Sequence, residues 1–448
     1  MKRWWTPARA FVISFLALIL TGTLLLQLPG MTHPGRELAW HEALFTSTSA
    51  VCVTGLVVRS PYDFTTRGQI VILLLFQLGG LGILTFGFFL VVLLGGRMSF
   101  FGRGLVESTL AEGPWEDFWP LLRMAAMVTL GVEAVGAALL ALAWAPSMGT
   151  KTALGWGIFH SVSAFCNAGF GLHPDSLIPW RGNMLVVFTV AGLIIVGGLG
   201  FLPLTDLFEK WRSPRRRPLS LHTRLVFVTT AALIVVGTVG VYGFEWDSAL
   251  AGLHGMERFG AAFFQAVTPR TAGFSTLDYG HFSAAGLLFT VVLMFIGASP
   301  GSTGGGVKTT TLGVLVAAAV SRARGHRRVN LWNRTLPDGL LATAATLMGA
   351  GLSLVLLATL LVLHLEAELG GTLGGADSFL RVLFEVVSAF GTVGLSTGIT
   401  AQLLVPSRLI LVALMFLGRV GPLTFGLALT WRPAPGDWQQ PEETVMIG

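Results

Sequence analysis

The amino-acid sequence predicts an all-α membrane protein. It would hold eight transmembrane helices and four re-entrant half-helices, arranged as four helix, pore helix, helix repeats (M1-pore helix-M2) with pseudo-fourfold symmetry around one pore. Three observations predict it. Apolar stretches long enough to cross a hydrocarbon core recur eight times, the connections on one side each contain a short apolar segment, and those four segments end in glycine turns that align without gaps.

The composition supports the first observation. Only 12% of the 448 residues are charged, about half the share of a soluble domain, while 53% are hydrophobic. The apolar runs lie near 10–28, 70–94, 124–145, 184–204, 225–244, 285–320, 340–363 and 409–430. The first is read as a retained span rather than a signal peptide, because it is long and lacks a small-residue cleavage pattern. A net charge of +6 would suit nucleic acid, but the basic residues sit at membrane edges. Lys2, Arg3 and Arg9 precede span 1, Lys210 to Arg217 and Arg224 link spans 4 and 5, and Arg322 to Arg334 link spans 6 and 7. By the positive-inside rule both termini are cytoplasmic, in a plasma membrane. The clusters at 210–217 and 322–328 also suit anionic lipid or an acidic partner, although topology alone accounts for them. Two cysteines, Cys52 and Cys166, leave no disulfide framework.

The half-helices are expected near 41–52, 155–166, 259–269 and 379–390. Their turns read SAVCVTGL, SAFCNAGF, VTPRTAGF and SAFGTVGL, and the shared glycines Gly55, Gly169, Gly273 and Gly394 are 114, 104 and 121 residues apart. This divides the chain into repeats at 1–96, 97–210, 211–325 and 326–448, the last with a short polar tail. Non-helical backbone at membrane depth is tolerated only inside protein or against a water-filled cavity, so four such turns should face one axis. Backbone carbonyls aimed at that axis would replace the hydration shell of potassium. The expected ion filter is Cys52, Val53, Thr54 and Gly55; Cys166, Asn167, Ala168 and Gly169; Arg270, Thr271, Ala272 and Gly273; and Gly391, Thr392, Val393 and Gly394. Only Thr392, Val393 and Gly394 carry the TVG of tetrameric potassium channels. The transported ion is then potassium, with sodium as a companion or competitor and no bound cofactor.

These residues resemble the Trk/Ktr/HKT superfamily of potassium transporters, and most closely its KtrB-type bacterial subunit. The resemblance rests on the four turns, on the RTAGFST run from Arg270 to Thr276, on GASPGSTGGGVKTTT from Gly297 to Thr311, and on FLGRVGPLTF from Phe416 to Phe425. It implies a homodimer with one pore per subunit and a cytoplasmic nucleotide-binding regulatory ring of the KtrA type.

Span 6 is broken at 297–306 by five glycines and a proline, which no helix survives. Its flanks are each too short to cross alone, so the break should line the cavity beneath the filter. The expected gate comprises Gly301, Ser302, Thr303, Gly304, Gly305, Gly306, Lys308 and Arg419, against the plainer reading of a structural kink. The segment is not a phosphate-binding loop, since Val307 separates Gly306 from Lys308 and no strand precedes it. Arg419 near the centre of span 8 needs a partner, and the resemblance puts it beside the loop, with loop carbonyls or hydroxyls such as those of Ser302 and Thr303 as acceptors. The alternative is an arginine that merely joins two helices.

Glu133 in span 3 has no evident basic partner. Glu42, His160, Gln265, Glu385 and Arg270 are expected to brace the filter backbone. Asp63, Asp175 and Asp278 follow three of the turns and would either concentrate cations at the mouth or be ordinary loop acids. The leading reading is potential-driven potassium uptake. A non-selective or sodium-permeable channel of the same architecture is the alternative. A membrane-embedded enzyme is remote, since the nine histidines show no metal-ligand spacing.

Overall fold

The computed structural model describes residues 7–93, 118–212, 218–326, 328–371 and 378–421. The 96/97 repeat boundary, the basic residues at 215–217, Arg327, the end of span 8 and the C-terminal tail lie outside the described residues. Within them the chain is mostly helical. The first unit holds α1 (Pro7–Leu26), α2 (Trp40–Val51) and α3 (Thr66–Leu93). The second holds α4 (Phe118–Met148), α5 (Thr150–Phe165), α6 (Met184–Leu199) and α7 (Phe201–Arg212). The third holds α8 (Leu221–Phe244), α9 (Gly255–Val267), α10 (Ala284–Phe295) and α11 (Thr309–Ala323). The fourth holds α12 (Asp338–Glu368), α13 (Ser378–Gly391) and α14 (Val405–Val420). A short antiparallel hairpin, β1 (Asn330–Leu331) with β2 (Arg334–Thr335), joins α11 to α12.

The first helix of each unit is long and uniformly apolar. Arg9–Leu26, Arg123–Met148, Leu221–Phe244 and Gly339–Glu368 are long enough to cross a membrane, yet no more than a third of each is buried inside the protein. They form the outer ring, presenting residues such as Leu20, Leu130, Val235 and Leu360 outward. The half-helices α2, α5, α9 and α13 are the inverse. They are too short to span and have buried C-terminal turns.

Local chemistry sets several helix starts. Asn183 accepts from Leu185 N and Val186 N at the head of α6, Ser220 accepts from Thr223 N at α8, and Ser283 accepts from Gly286 N at α10. Each second helix then packs against the half-helix of the following unit: α3 on α5, α6 on α9, α10 on α13, and α14 back on α2. That last contact closes the four units into a ring.

One expected span needs correction. The run at 184–204 is not one helix: it ends at Leu199, and α7 leaves at 98° to α6. Gly200 makes the corner with φ +91°, a left-handed geometry that a side chain would strain. The run at 285–320 is, as expected, two helices, α10 and α11, separated at its glycines. Gly297 N donates to Val307 O (2.8 Å), which folds the intervening segment back on itself.

Candidate functional site

The four turns meet. A Cβ placed on Gly55 would lie 2.6 Å from Ala168 O and 2.9 Å from Gly169 Cα. One on Gly169 would lie 2.9 Å from Gly273 Cα, and one on Gly273 would lie 2.7 Å from Val393 O. One on Gly394 would overlap Thr54 O, which returns the circuit to the first turn. The four glycines thus follow one another in chain order around a small ring, each against the carbonyl that precedes the next glycine.

Within each turn the backbone alternates. Val53, Asn167, Thr271 and Thr392 all have positive φ (56°, 57°, 69° and 51°), as do Gly55, Gly169, Gly273 and Gly394 two residues later. Threonine and valine are β-branched and disfavour this region, so the same outlier in four turns marks a backbone held by its surroundings. Backbone bonds supply part of the hold. Thr54 N, Ala168 N and Val393 N donate to Ser49 O, Ser163 O and Ser388 O at 2.7–2.8 Å. The serine hydroxyls act as well: Ser49 Oγ and Ser388 Oγ accept from Gly55 N and Gly394 N (3.0 Å each), and Ser163 Oγ donates to Phe170 O (2.8 Å). The third turn departs from this pattern. Ala272 N donates to Thr268 O, one residue later than its counterparts, and Thr268 Oγ1 donates to Phe274 O.

The expected bracing residues bond to the segment that leaves the ring rather than to the ring itself. Glu42 accepts from Arg59 Nε (3.0 Å). Glu385 accepts from Ser396 Oγ, Thr397 N and Thr400 Oγ1. His160 donates from Nδ1 to Trp156 O (2.8 Å), leaving Nε2 to accept from Leu172 N (3.3 Å). Gln265, with its amide oriented to suit its neighbours, accepts from Leu277 N (2.9 Å) and donates to Tyr279 Oη (2.8 Å). Arg270 does not brace the turn with its side chain, which donates to Thr230 Oγ1 on α8 (3.2 Å). Asp63 is not a free mouth charge, since it pairs with Arg36. Glu133 is bonded by Gln77 Nε2 (3.1 Å), whose oxygen in turn accepts from Cys166 Sγ (3.1 Å).

The 297–306 segment lies against the ring. Gly305 N donates to Thr392 Oγ1 (3.1 Å), and Thr303 Oγ1 donates to Phe165 O (3.1 Å) and Gly197 O (3.2 Å). A Cβ on Gly304 would overlap Thr271, and one on Gly306 would lie 3.1 Å from Gly391 O. Lys308 Nζ donates to Gly304 O (2.7 Å), which ties the loop to the head of α11. Arg419 is 3% exposed. It donates to Thr303 O and, on the other side, to Gly79 O and Gly80 O of α3 in the adjoining first unit. Of the loop carbonyls and hydroxyls expected to accept from it, the Thr303 carbonyl does so, while Ser302 Oγ donates to Ser299 O (2.7 Å). One guanidinium joins units one, three and four.

One set of residues went unnoticed in the sequence. Gly79, Gly197, Gly297 and Gly418 lie 24, 28, 24 and 24 residues after the ring glycines. In three units this glycine admits the carbonyl of the half-helix end: Gly79 faces Val51 O, Gly197 faces Phe165 O and Gly418 faces Phe390 O, each too closely for any Cβ. The next position reads Gly80, Gly198, Ala298 and Arg419. The signal was the recurring pair in LGGLG, VGGLG, IGASP and LGRVG.

A family model for TrkH, described as a cation transport protein, matches residues 8–435. A Ktr system potassium uptake protein B of Vibrio alginolyticus is 37% identical over 98% of this chain and 94% of its own length. Its namesake from Bacillus subtilis is 36% identical over 94% of this chain and 92% of its own. The potassium/sodium uptake protein NtpJ of Enterococcus hirae is 35% identical over 99% and 97%. The crystal structure of the potassium transporter TrkH from Vibrio parahaemolyticus superposes with a TM-score of 0.69 at 18% identity. It covers 94% of this chain and 85% of that one, a likeness of fold.

Proposed function

Because this chain belongs to the TrkH family of cation transport proteins, we propose that it carries potassium inward across the plasma membrane through the ring of four glycine turns. The observation that carries this reading is the alternation of left-handed residues, shared by all four turns around a common centre. A left-handed residue flips its peptide plane relative to its neighbour, so alternation lets successive carbonyls face the same side. Carbonyls of Cys52 to Gly55, Cys166 to Gly169, Arg270 to Gly273 and Gly391 to Gly394 then stand in for the water a potassium ion sheds. The names of the relatives, all ion uptake proteins, support a transporter rather than an enzyme.

The membrane potential supplies the drive, at about 2.3 kcal/mol per charge per 100 mV. The 297–306 loop is the gate. It sits beneath Thr271, Thr392 and Gly391, pinned by Lys308 and Arg419, so conduction requires these bonds to release. In this reading the chain forms a homodimer, both termini are cytoplasmic, and a nucleotide-binding ring of the KtrA type moves the loop from that side. The partnership is supported by relatives named as parts of a Ktr system.

A second reading, a sodium-permeable pore of the same build, is favoured by one feature: only the fourth turn carries Thr-Val-Gly. Rubidium uptake into liposomes holding the purified chain, with and without competing sodium, separates the two. Selective transport predicts uptake that excess external sodium leaves largely intact. Equal permeation by both ions would overturn the potassium reading.

A further inference from the structure

The 98° corner between α6 and α7 is unlike anything else among the described helices, and it touches the loop directly. Phe201 N, the first amide of α7, donates to Gly301 O (3.1 Å). Just before the corner, Ser299 N donates to Gly198 O (3.1 Å) and Thr303 N to Gly197 O (3.4 Å). A Cβ on Gly200 would lie 2.6 Å from Pro300 O. The corner and residues 299–303 are thus one hydrogen-bonded unit, and α7 is the arm that extends from it.

The arm is amphipathic. Leu204, Leu207, Phe208 and Trp211 recur at i, i+3, i+4 and i+7, and the last three are 47%, 44% and 79% exposed. The opposite face is polar, and there Asp206 accepts from Ser220 Oγ (2.6 Å) ahead of α8. At the start of the stripe Leu204 and Phe208 border a small crevice with Met124 and Val128 on the spanning helix α4. Phe201 packs on Ala125 beside it. Trp211 stands beside Lys210, and the sequence continues through Arg212, Arg215, Arg216 and Arg217. Apolar residues on one side, an aromatic at the end and clustered cations match a helix lying in the boundary of an anionic leaflet.

We propose that α7 is an in-plane anchor for the anionic phospholipid surface, and that its seat on that surface holds the 297–306 loop beneath the ring. This rests on the reading of that loop as the gate. Lifting α7 out of the boundary pulls Phe201 N from Gly301 O and frees the Pro300 to Ser302 corner, so anionic lipid acts to keep the pore shut.

The test uses the full chain in two kinds of vesicle, phosphatidylcholine alone and phosphatidylcholine with a quarter phosphatidylglycerol. A fluorophore is attached to Leu207→Cys, since Cys52 and Cys166 are both fully buried. Quenching by bromine-labelled acyl chains, stronger with phosphatidylglycerol, is expected. So is rubidium flux several-fold lower in the anionic vesicles, a difference lost in the Lys210→Glu/Trp211→Ser variant. Quenching by aqueous iodide alone would show the stripe in water, and shielding from both quenchers would show it covered by protein. Either result overturns the proposal, as does flux indifferent to lipid charge. A variant lacking residues 301–305 separates the two readings. High flux in both vesicles is expected, whereas a deletion that leaves flux low overturns the gate while the quenching still reports on the anchor.

Discussion

Arg419 shows how much a single side chain does here. It replaces the Gly80, Gly198 and Ala298 of the other units and spends its donors on carbonyls from two of them. A hydrogen bond to a charged group contributes about 1.5–3 kcal/mol, and 1.4 kcal/mol is a tenfold shift in an equilibrium. If these bonds belong to the closed arrangement, Arg419→Gln should raise rubidium flux about tenfold in liposomes. A change below twofold would mean the bonds persist when the pore conducts. The need for a partner was legible in the sequence, because a guanidinium in an apolar span cannot stand alone. So was the loop, through carbonyls or hydroxyls, as the place to find one. Which of them it takes was not legible, and in the structure it is the carbonyl of Thr303. Arg270 misled for a related reason, since nothing in the sequence says that a side chain beginning in the turn ends at Thr230 on α8.

At the scale of elements, the fit of each second helix to a half-helix depends on a missing side chain. Ala at Gly79 would drive its Cβ into Val51 O, four residues before Gly55. Overpacking of this kind costs about 1–3 kcal/mol. Gly79→Ala should therefore lower the thermal midpoint of the detergent-solubilised protein and weaken discrimination against sodium. Gly349→Ala on α12 is the comparison, because its Cβ meets open space and the change favours the helix by about 1 kcal/mol. Equal behaviour of the two variants would refute the packing argument. The half-helices were legible as elements, since each is too short to span and ends in a glycine turn. The glycines facing them were harder to see, because a Gly inside a long apolar run leaves the hydropathy pattern unchanged. The turn into α7 was hidden in the same way: Gly200 and Pro203 sit among apolar residues, so the run read as one span.

For the whole molecule, four unequal copies close one ring, and the inequality makes a graded prediction. A Cβ would intrude most at Gly394, less at Gly55 and Gly273, and least at Gly169. Alanine at each position should impair potassium preference in that order, measured as the ratio of rubidium to sodium flux, and a reversed order would show that the ring does not set selectivity. A pore built from four identical chains must repeat every substitution four times, so a cation introduced at one inner corner would face three others and repel both them and the permeating ion. Folding the fourfold plan into one polypeptide removes that constraint. It lets a lone guanidinium tie three units together at one corner while the equivalent corners keep the small residues Gly80, Gly198 and Ala298.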